Sequence, residues 1–246
     1  MPHFFVKSGN IQDSKVKIND IENYRHIARA LRARVGENLL LIDENQIQYE
    51  TTISEINNSE IICEIKKQYK SQRDLDFNLY LAQSPLRSDA QLTVMEKATE
   101  LGVRAVYPVI TDNCAVKIDV ANSKREKWQK VMYEASKQCE RAKVPTCKQI
   151  TKLQDLIISK KDDFDKIIVF GERSTEISLK KYLSQNPIKK GQNILVVIGP
   201  EGGFSETEFK IFKENNFPIV SLGDLILKAE TAVVAALGDI IYEYQG

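Results

Sequence analysis

The chain has 246 residues, 42% of them hydrophobic and 28% charged, with a formal net charge of +1 at pH 7. That length suits one large or two modest domains, and no apolar run approaches the roughly 18 residues that a membrane helix needs. Four scattered cysteines without a Cys-x-x-Cys pair argue against a disulfide framework or a zinc ribbon, and two histidines, His3 and His26, leave the rest of the chain without the usual general base or metal ligand.

The residues from Met1 to Lys7 lack the basic, apolar and cleavage regions of a secretory signal, so a cytoplasmic location and no membrane contact are expected. The first seventy or so residues read as a small β-rich unit, with strand-like stretches at 3–6, 15–18, 38–43, 47–53 and 61–65. In the fourth of these, Ile47, Tyr49, Thr51 and Ile53 alternate with polar partners, the period of a half-buried strand. One helix, about 21–34, interrupts the strands. It carries Arg25, Arg29 and Arg32 in one stripe, with Ile27 and Leu31 pointing the other way and Gly36 as its stop. The stripe suits either a solvated helix face or a contact with a nucleic-acid backbone.

The polar stretch 66–76 reads as a linker, so the expected division is a domain over 1–72 and another over 73–246. Beyond it strands and helices alternate: strand 77–83, helix 89–101, strand 105–110, helix 122–141, strand 167–170, a short helix near 177–183, strand 194–198, helix 206–215, strand 219–222 and helix 230–244. That order predicts an α/β domain with a mostly parallel sheet. Ser88 with Gln91, and Ser205 with Glu208, have capping-box spacing at helix starts. Between Lys124 and Lys148 eight Lys or Arg stand against three Glu, a local charge that could meet phosphates. Trp128, Val131, Met132, Ala135 and Cys139 recur at helical spacing and read as core rather than as a base-stacking platform.

The sharpest feature is Ile194-Leu-Val-Val-Ile-Gly199-Pro200-Glu201-Gly202-Gly203-Phe204-Ser205, a buried-type strand running into a glycine turn and a capped helix. Glycine there lets backbone approach a ligand, and ligands of open α/β sheets bind beyond the carboxyl ends of the strands. The same turn also suits an ordinary strand-to-helix connection. A P-loop and a Gly-x-Gly-x-x-Gly fingerprint are both absent, which disfavours those nucleotide sites. The next strand repeats the theme in Ile219-Val-Ser-Leu222-Gly223-Asp224-Leu225-Ile226-Leu227-Lys228-Ala229-Glu230-Thr231, so two neighbouring loops could form one pocket.

Together these two stretches resemble the paired carboxy-terminal signature of the RsmE family in the SPOUT superfamily. Further similarity lies in Pro2-His-Phe-Phe-Val6, His26-Ile-x-Arg29-x-Leu31-Arg32, Glu96-Lys-Ala-Thr-Glu-Leu-Gly-Val103 and Glu134-Ala-x-x-Gln-Cys-x-Arg141. The resemblance implies an N-terminal PUA-like β-barrel for RNA, a C-terminal SPOUT α/β domain with a deep trefoil knot, and a homodimer with sites at the subunit interface. It implies S-adenosyl-L-methionine as methyl donor, no metal, and methylation of N3 of one uridine in 16S ribosomal RNA of the 30S subunit.

Carried over by position, the donor would lie against Phe170, Glu172, Gly199, Pro200, Glu201, Gly202, Gly203, Leu222, Gly223, Ile226 and Leu227. Lys228 or Arg141 would stabilise charge on the base, Glu230 would accept the N3 proton or simply complement the helix dipole, and Arg25, Arg29 and Arg32 would contact RNA. The family usually has arginine where this chain has Lys228, which keeps the charge and loses the planar fork. The stretch Arg87-Ser-Asp-Ala-Gln-Leu is also less basic than the family pattern. Two other readings remain: a SPOUT methyltransferase acting on another ribosomal or transfer RNA nucleotide, and an RNA-binding assembly factor without turnover.

Overall fold

The computed structural model describes residues 3–71, 74–172 and 177–244, apart from the side chain of Ser88. Pro2, the boundary expected between 72 and 73, and the capping box at Ser88 therefore lie outside the described residues. Two compact units are present: 1–74 with 136–143, and 75–135 with 144–246.

The first unit contains β1 (His3–Phe5), β2 (Ile11–Gln12), β3 (Lys15–Ile18), α1 (Ile21–Tyr24), β4 (Asn38–Ile42), β5 (Ile47–Ile56) and β6 (Ile61–Lys70). They form one sheet in the order β1-β4-β5-β6-β3-β2, with β1 parallel to β4 and the other pairs antiparallel. Alternation in β5 buries Tyr49, Thr51 and Ile53, of which Tyr49 and Ile53 join a core with Phe4, Val16, Ile18, Ile27, Leu39, Leu41, Ile61 and Cys63. At the β4–β5 turn the Asp43 carboxylate accepts hydrogen bonds from the amides of Asn45 and Ile47, both 2.9 Å, and from the Tyr49 hydroxyl at 3.0 Å. Burial, reinforced by that carboxylate, pushes the Tyr49 phenol to about 12.

Two expectations change here. Residues 66–70 are strand rather than linker: the long β5 needs a partner beyond its bulge, and Lys67 through Lys70 supply it opposite Glu50 through Ile47. The arginine helix is also shorter than expected. Asp20 caps α1 by accepting the Asn23 amide, and residues 25–30 then widen into a π-turn in which the Leu31 amide donates to the His26 carbonyl at 2.9 Å. Arg32 follows in a left-handed conformation, φ 52°, so Arg25, Arg29 and Arg32 do not form an α-helical stripe, although all three are exposed. The same widening leaves Leu31 43% exposed, whereas Ile27 is buried as expected.

The second unit runs β7 (Asn78–Gln83), α2 (Ser88–Glu100), β8 (Ala105–Ile110), α3 (Ile118–Gln138, whose last turn groups with the first unit), β9 (Thr146–Cys147), β10 (Thr151–Lys152), α4 (Leu153–Lys160), β11 (Lys166–Phe170), β12 (Ile177–Ser178), α5 (Leu179–Gln185), β13 (Asn193–Ile198), α6 (Glu206–Glu214), β14 (Ile219–Ser221) and α7 (Ala229–Tyr244). The sheet order is β10-β8-β7-β13-β11-β14-β12, with β9 also on β8, and every pair is parallel. A parallel sheet needs cover on both faces, and the strands are apolar on both. Leu79, Leu81, Ile168, Phe170, Ile194, Val196 and Ile198 pack with Trp128, Met132, Val233 and Leu237 from the helices on one face. Ala82, Ile167, Val169, Leu195 and Val197 pack with Leu156 and Phe212 on the other.

Because the strands are parallel, all their carboxyl ends lie along one edge. The connections after β8, β11, β13 and β14 all leave the sheet there.

Candidate active site

Phe170 pairs in register with Ile198 on one side and with Val220 on the other, so the loops after β11, β13 and β14 start level with one another. The Gly171 amide donates to the Val220 carbonyl at 3.0 Å, which holds the first of these loops against the third. Between them lies a cavity of about 690 Å³, within the range of small-molecule and cofactor pockets. Its wall includes Phe170, Glu172, Gly199, Pro200, Glu201, Gly203, Leu222, Gly223, Ile226 and Leu227, together with Lys228 and Glu230.

Of the residues carried over from the family, Gly202 alone among the eleven donor-site positions does not line the cavity. Arg141 does not line it either: it is buried in the first unit, with its guanidinium 3.7 Å from the Asp74 carboxylate. Eight further residues line the cavity, among them Ala90 and Phe209, which had no distinguishing sequence signal.

The turn after β13 is built for close approach. Gly199 is buried, and a β-carbon there would stand 3.3 Å from the Phe204 ring. That ring is held edge-on by Phe212, at 5.0 Å between centroids, and by Phe209 at 6.0 Å. Gly203 has φ +70°, and a β-carbon would meet the Glu172 carboxylate at 3.1 Å. Behind the turn, Ser205 and Glu208 form the expected capping box of α6. Glu208 accepts the Ser205 amide at 2.9 Å and the Asp112 amide at 3.1 Å, and the Ser205 hydroxyl donates to the Asp112 carboxylate.

Burial pushes the Glu208 carboxyl above its ordinary value of 4.5, opposed by those amide bonds. A carboxyl whose folded value is raised favours folding when protonated, so its contribution is gained as pH falls through the raised value and lost as pH rises through it. Glu208→Gln removes that titration along with one amide bond. Thermal melts between about pH 4 and pH 7 are expected to show the variant less stable, with a gap that narrows as pH rises. A gap independent of pH would contradict a raised Glu208.

Glu172, Glu201 and Glu230 place three carboxylates around a largely apolar and backbone wall. Such a lining suits a cationic ligand with an apolar ring system, held by main-chain groups that the glycines leave bare. Among the described residues no group of three or more His, Cys, Asp or Glu could hold a metal, and no helix is long and apolar enough to cross a membrane.

An all-parallel α/β sheet with a glycine-walled cavity across three of its carboxyl-edge loops, and with neither a P-loop nor a Rossmann fingerprint, is a ligand-binding α/β domain outside those two nucleotide-binding classes. The model of the RNA methyltransferase domain matches residues 73–241, and that of the RNA methyltransferase PUA domain matches 18–66. The chain is 30% identical to ribosomal RNA small subunit methyltransferase E of Bacillus subtilis over 227 residues, 90% of this chain and 88% of that one. It is 30% identical to the protein of that name in Aquifex aeolicus, over 84% of this chain and 86% of that one. A crystal structure of ribosomal RNA small subunit methyltransferase E from Neisseria gonorrhoeae, bound to S-adenosyl methionine, superposes with a TM-score of 0.84 at 26% identity, covering 99% of this chain and 98% of that one. The chain belongs to the RNA methyltransferase family, in its ribosomal RNA small subunit methyltransferase E branch.

Proposed function

We propose that this protein transfers a methyl group from S-adenosylmethionine to N3 of a uridine in 16S ribosomal RNA. The observation that carries the reading is the cavity itself: three level loops, glycine where a side chain would intrude, and carboxylates to balance a sulfonium charge. When bound, the donor supplies an activated methyl group. The residues of the chain must orient the uracil, take its N3 proton and stabilise the charge that spreads to its carbonyl oxygens as N3 forms the new bond and sulfur takes the electron pair. Lys228, which lines the cavity, is the group proposed to face such an oxygen with its ammonium, and Glu230, in the first turn of α7, the group proposed to take the proton.

The first unit supplies RNA contacts. Arg25, Arg29 and Arg32 are exposed in the segment that the PUA model matches. Changing any one to alanine is expected to weaken RNA binding, to lower the salt dependence of that binding by about one counterion, and to leave donor binding intact. Filter binding across a salt series, with calorimetry on the donor, checks this. A homodimer fits the apolar side chains left outside, with Leu225 82% and Ile226 57% exposed beside the cavity. Sedimentation of the full chain tests it. A knotted threading through the loops at 199–205 and 222–228 goes with the family membership, and the cytoplasm, where ribosomes are assembled, is the expected site of action.

The deciding experiment incubates the protein with labelled S-adenosylmethionine and unmodified small subunits, then maps the product. Label at N3 of one uridine in 16S RNA is the expected outcome. Label on another nucleotide or on transfer RNA would redirect the substrate assignment, and donor binding without transfer would favour an assembly role.

A further inference from the structure

We propose that Asn113, which does not line the cavity, is the positioning residue that fixes the 199–203 turn in its donor-binding shape; this rests on the reading that the cavity takes S-adenosylmethionine. Asn113 follows β8, one strand beyond β7 from the strand that carries the turn. Its side-chain amide donates to two consecutive carbonyls of that turn, Gly203 at 3.1 Å and Gly202 at 3.3 Å. Its own β-carbon lies 3.1 Å from where a β-carbon on Gly202 would be, so the two backbones are pressed together at this point.

These contacts explain why Gly202 is the one glycine of the turn absent from the cavity wall. Its carbonyl and α-carbon serve the anchor behind the loop, while Gly199 and Gly203 serve the wall in front. Both carbonyls accept from one amide group, so they are held side by side on the far side of the turn. The Gly203 amide is itself engaged with the Pro200 carbonyl at 3.0 Å, which closes the turn on itself. Among the described residues no other side-chain hydrogen bond ties Gly202 or Gly203 to the rest of the sheet edge, and the neighbouring Asp112 grips the following helix cap through Ser205 and Glu208. Preorganising a loop by such a clamp raises affinity by lowering the ordering cost of binding.

The test compares wild type with Asn113→Ala and Asn113→Asp in the full-length protein. Asn113 is exposed, so both variants are expected to keep the wild-type fold and melting temperature within a few degrees. Alanine keeps the β-carbon contact and loses both donors; aspartate also loses them and sets a carboxylate against two carbonyls. By calorimetry, S-adenosylmethionine should bind Asn113→Ala roughly fivefold to tenfold more weakly than wild type, and Asn113→Asp more weakly still. Transfer at saturating donor should be close to wild type, so that the donor KM moves and kcat does not.

Donor affinity in Asn113→Ala equal to wild type, or an aspartate variant that binds as well as the alanine one, overturns the clamp. A fall in kcat with unchanged donor KM also overturns it. Failure of wild type itself to bind S-adenosylmethionine is a separate result, and it removes the functional reading on which the clamp depends.

Discussion

Gly199→Val is expected to bind S-adenosylmethionine at least about a hundredfold more weakly than wild type while remaining folded. The β-carbon alone would stand 3.3 Å from the Phe204 ring, tighter than an ordinary contact, and valine adds two methyl groups to it. The ring cannot swing aside, because Phe209 and Phe212 hold it edge-on and Phe212 is fully buried. The strain must therefore go into the backbone of the turn, which moves toward the cavity and narrows the space between the loops at 171–172 and 222–227. Overpacking of this kind costs about 1–3 kcal/mol, and it falls where the donor has to lie against main chain. Alanine at the same position should give a smaller loss, since its neighbour need yield only a few tenths of an ångström. Calorimetry with circular dichroism as the fold control decides the matter, and undiminished binding by the valine variant would remove the 199–203 turn from the donor site.

The second unit could be read from its sequence because its signals are local and agree with one another. The strand at Ile194 to Ile198 is apolar on both faces because the parallel sheet is covered on both, and the Ser205–Glu208 capping box marks the start of α6 to the residue. What escaped has physical reasons. The α4 helix has Leu153, Leu156 and Ile157 at the right spacing to find it, but it is short and preceded by two two-residue strands whose pairing to β8 is decided by the sheet. The π-turn at 25–30 has no compositional signature, so an arginine spacing computed for an α-helix misplaced Arg32 and Leu31. The continuation of β6 through Lys70 is fixed by its partner strand, since its own residues are polar enough to look like a linker.

The site divides in the same way. Glycines and the loop register are visible in sequence, because a turn that must leave space open admits few residues. Asn113 is not visible, because an Asp-Asn pair after a strand is ordinary turn chemistry until the carbonyls it meets are known, and those lie about ninety positions away in the chain. Arg141 sits in a family-like motif, and its guanidinium lies 3.7 Å from the Asp74 carboxylate, a partner that the motif did not signal.

Among the described residues Lys228 is the one cationic side chain on the cavity wall, which also carries Glu172, Glu201 and Glu230. If it faces the uracil oxygen on which charge develops, Lys228→Met should lower kcat by about 10²–10³-fold, the usual loss on removing one such donor. Donor affinity should stay near wild type, because on the proposed reading backbone of the loops after β13 and β14, and not the Lys228 side chain, would hold the donor. Lys228→Arg separates charge from geometry. The planar guanidinium presents two parallel donors where the ammonium presents a point charge, so this variant should retain activity and can raise it if the oxygen and a neighbouring phosphate are gripped together. Methionine has nearly the length of lysine without its charge, so a fall in kcat with methionine and recovery with arginine isolates the positive charge as the cause. Single-turnover transfer to small subunits, at donor concentrations well above KM, is the measurement. Equal rates for wild type and Lys228→Met would leave the three carboxylates without a cationic counterpart in the chemistry and would move charge stabilisation to a group supplied by a second copy of the chain or by the RNA itself.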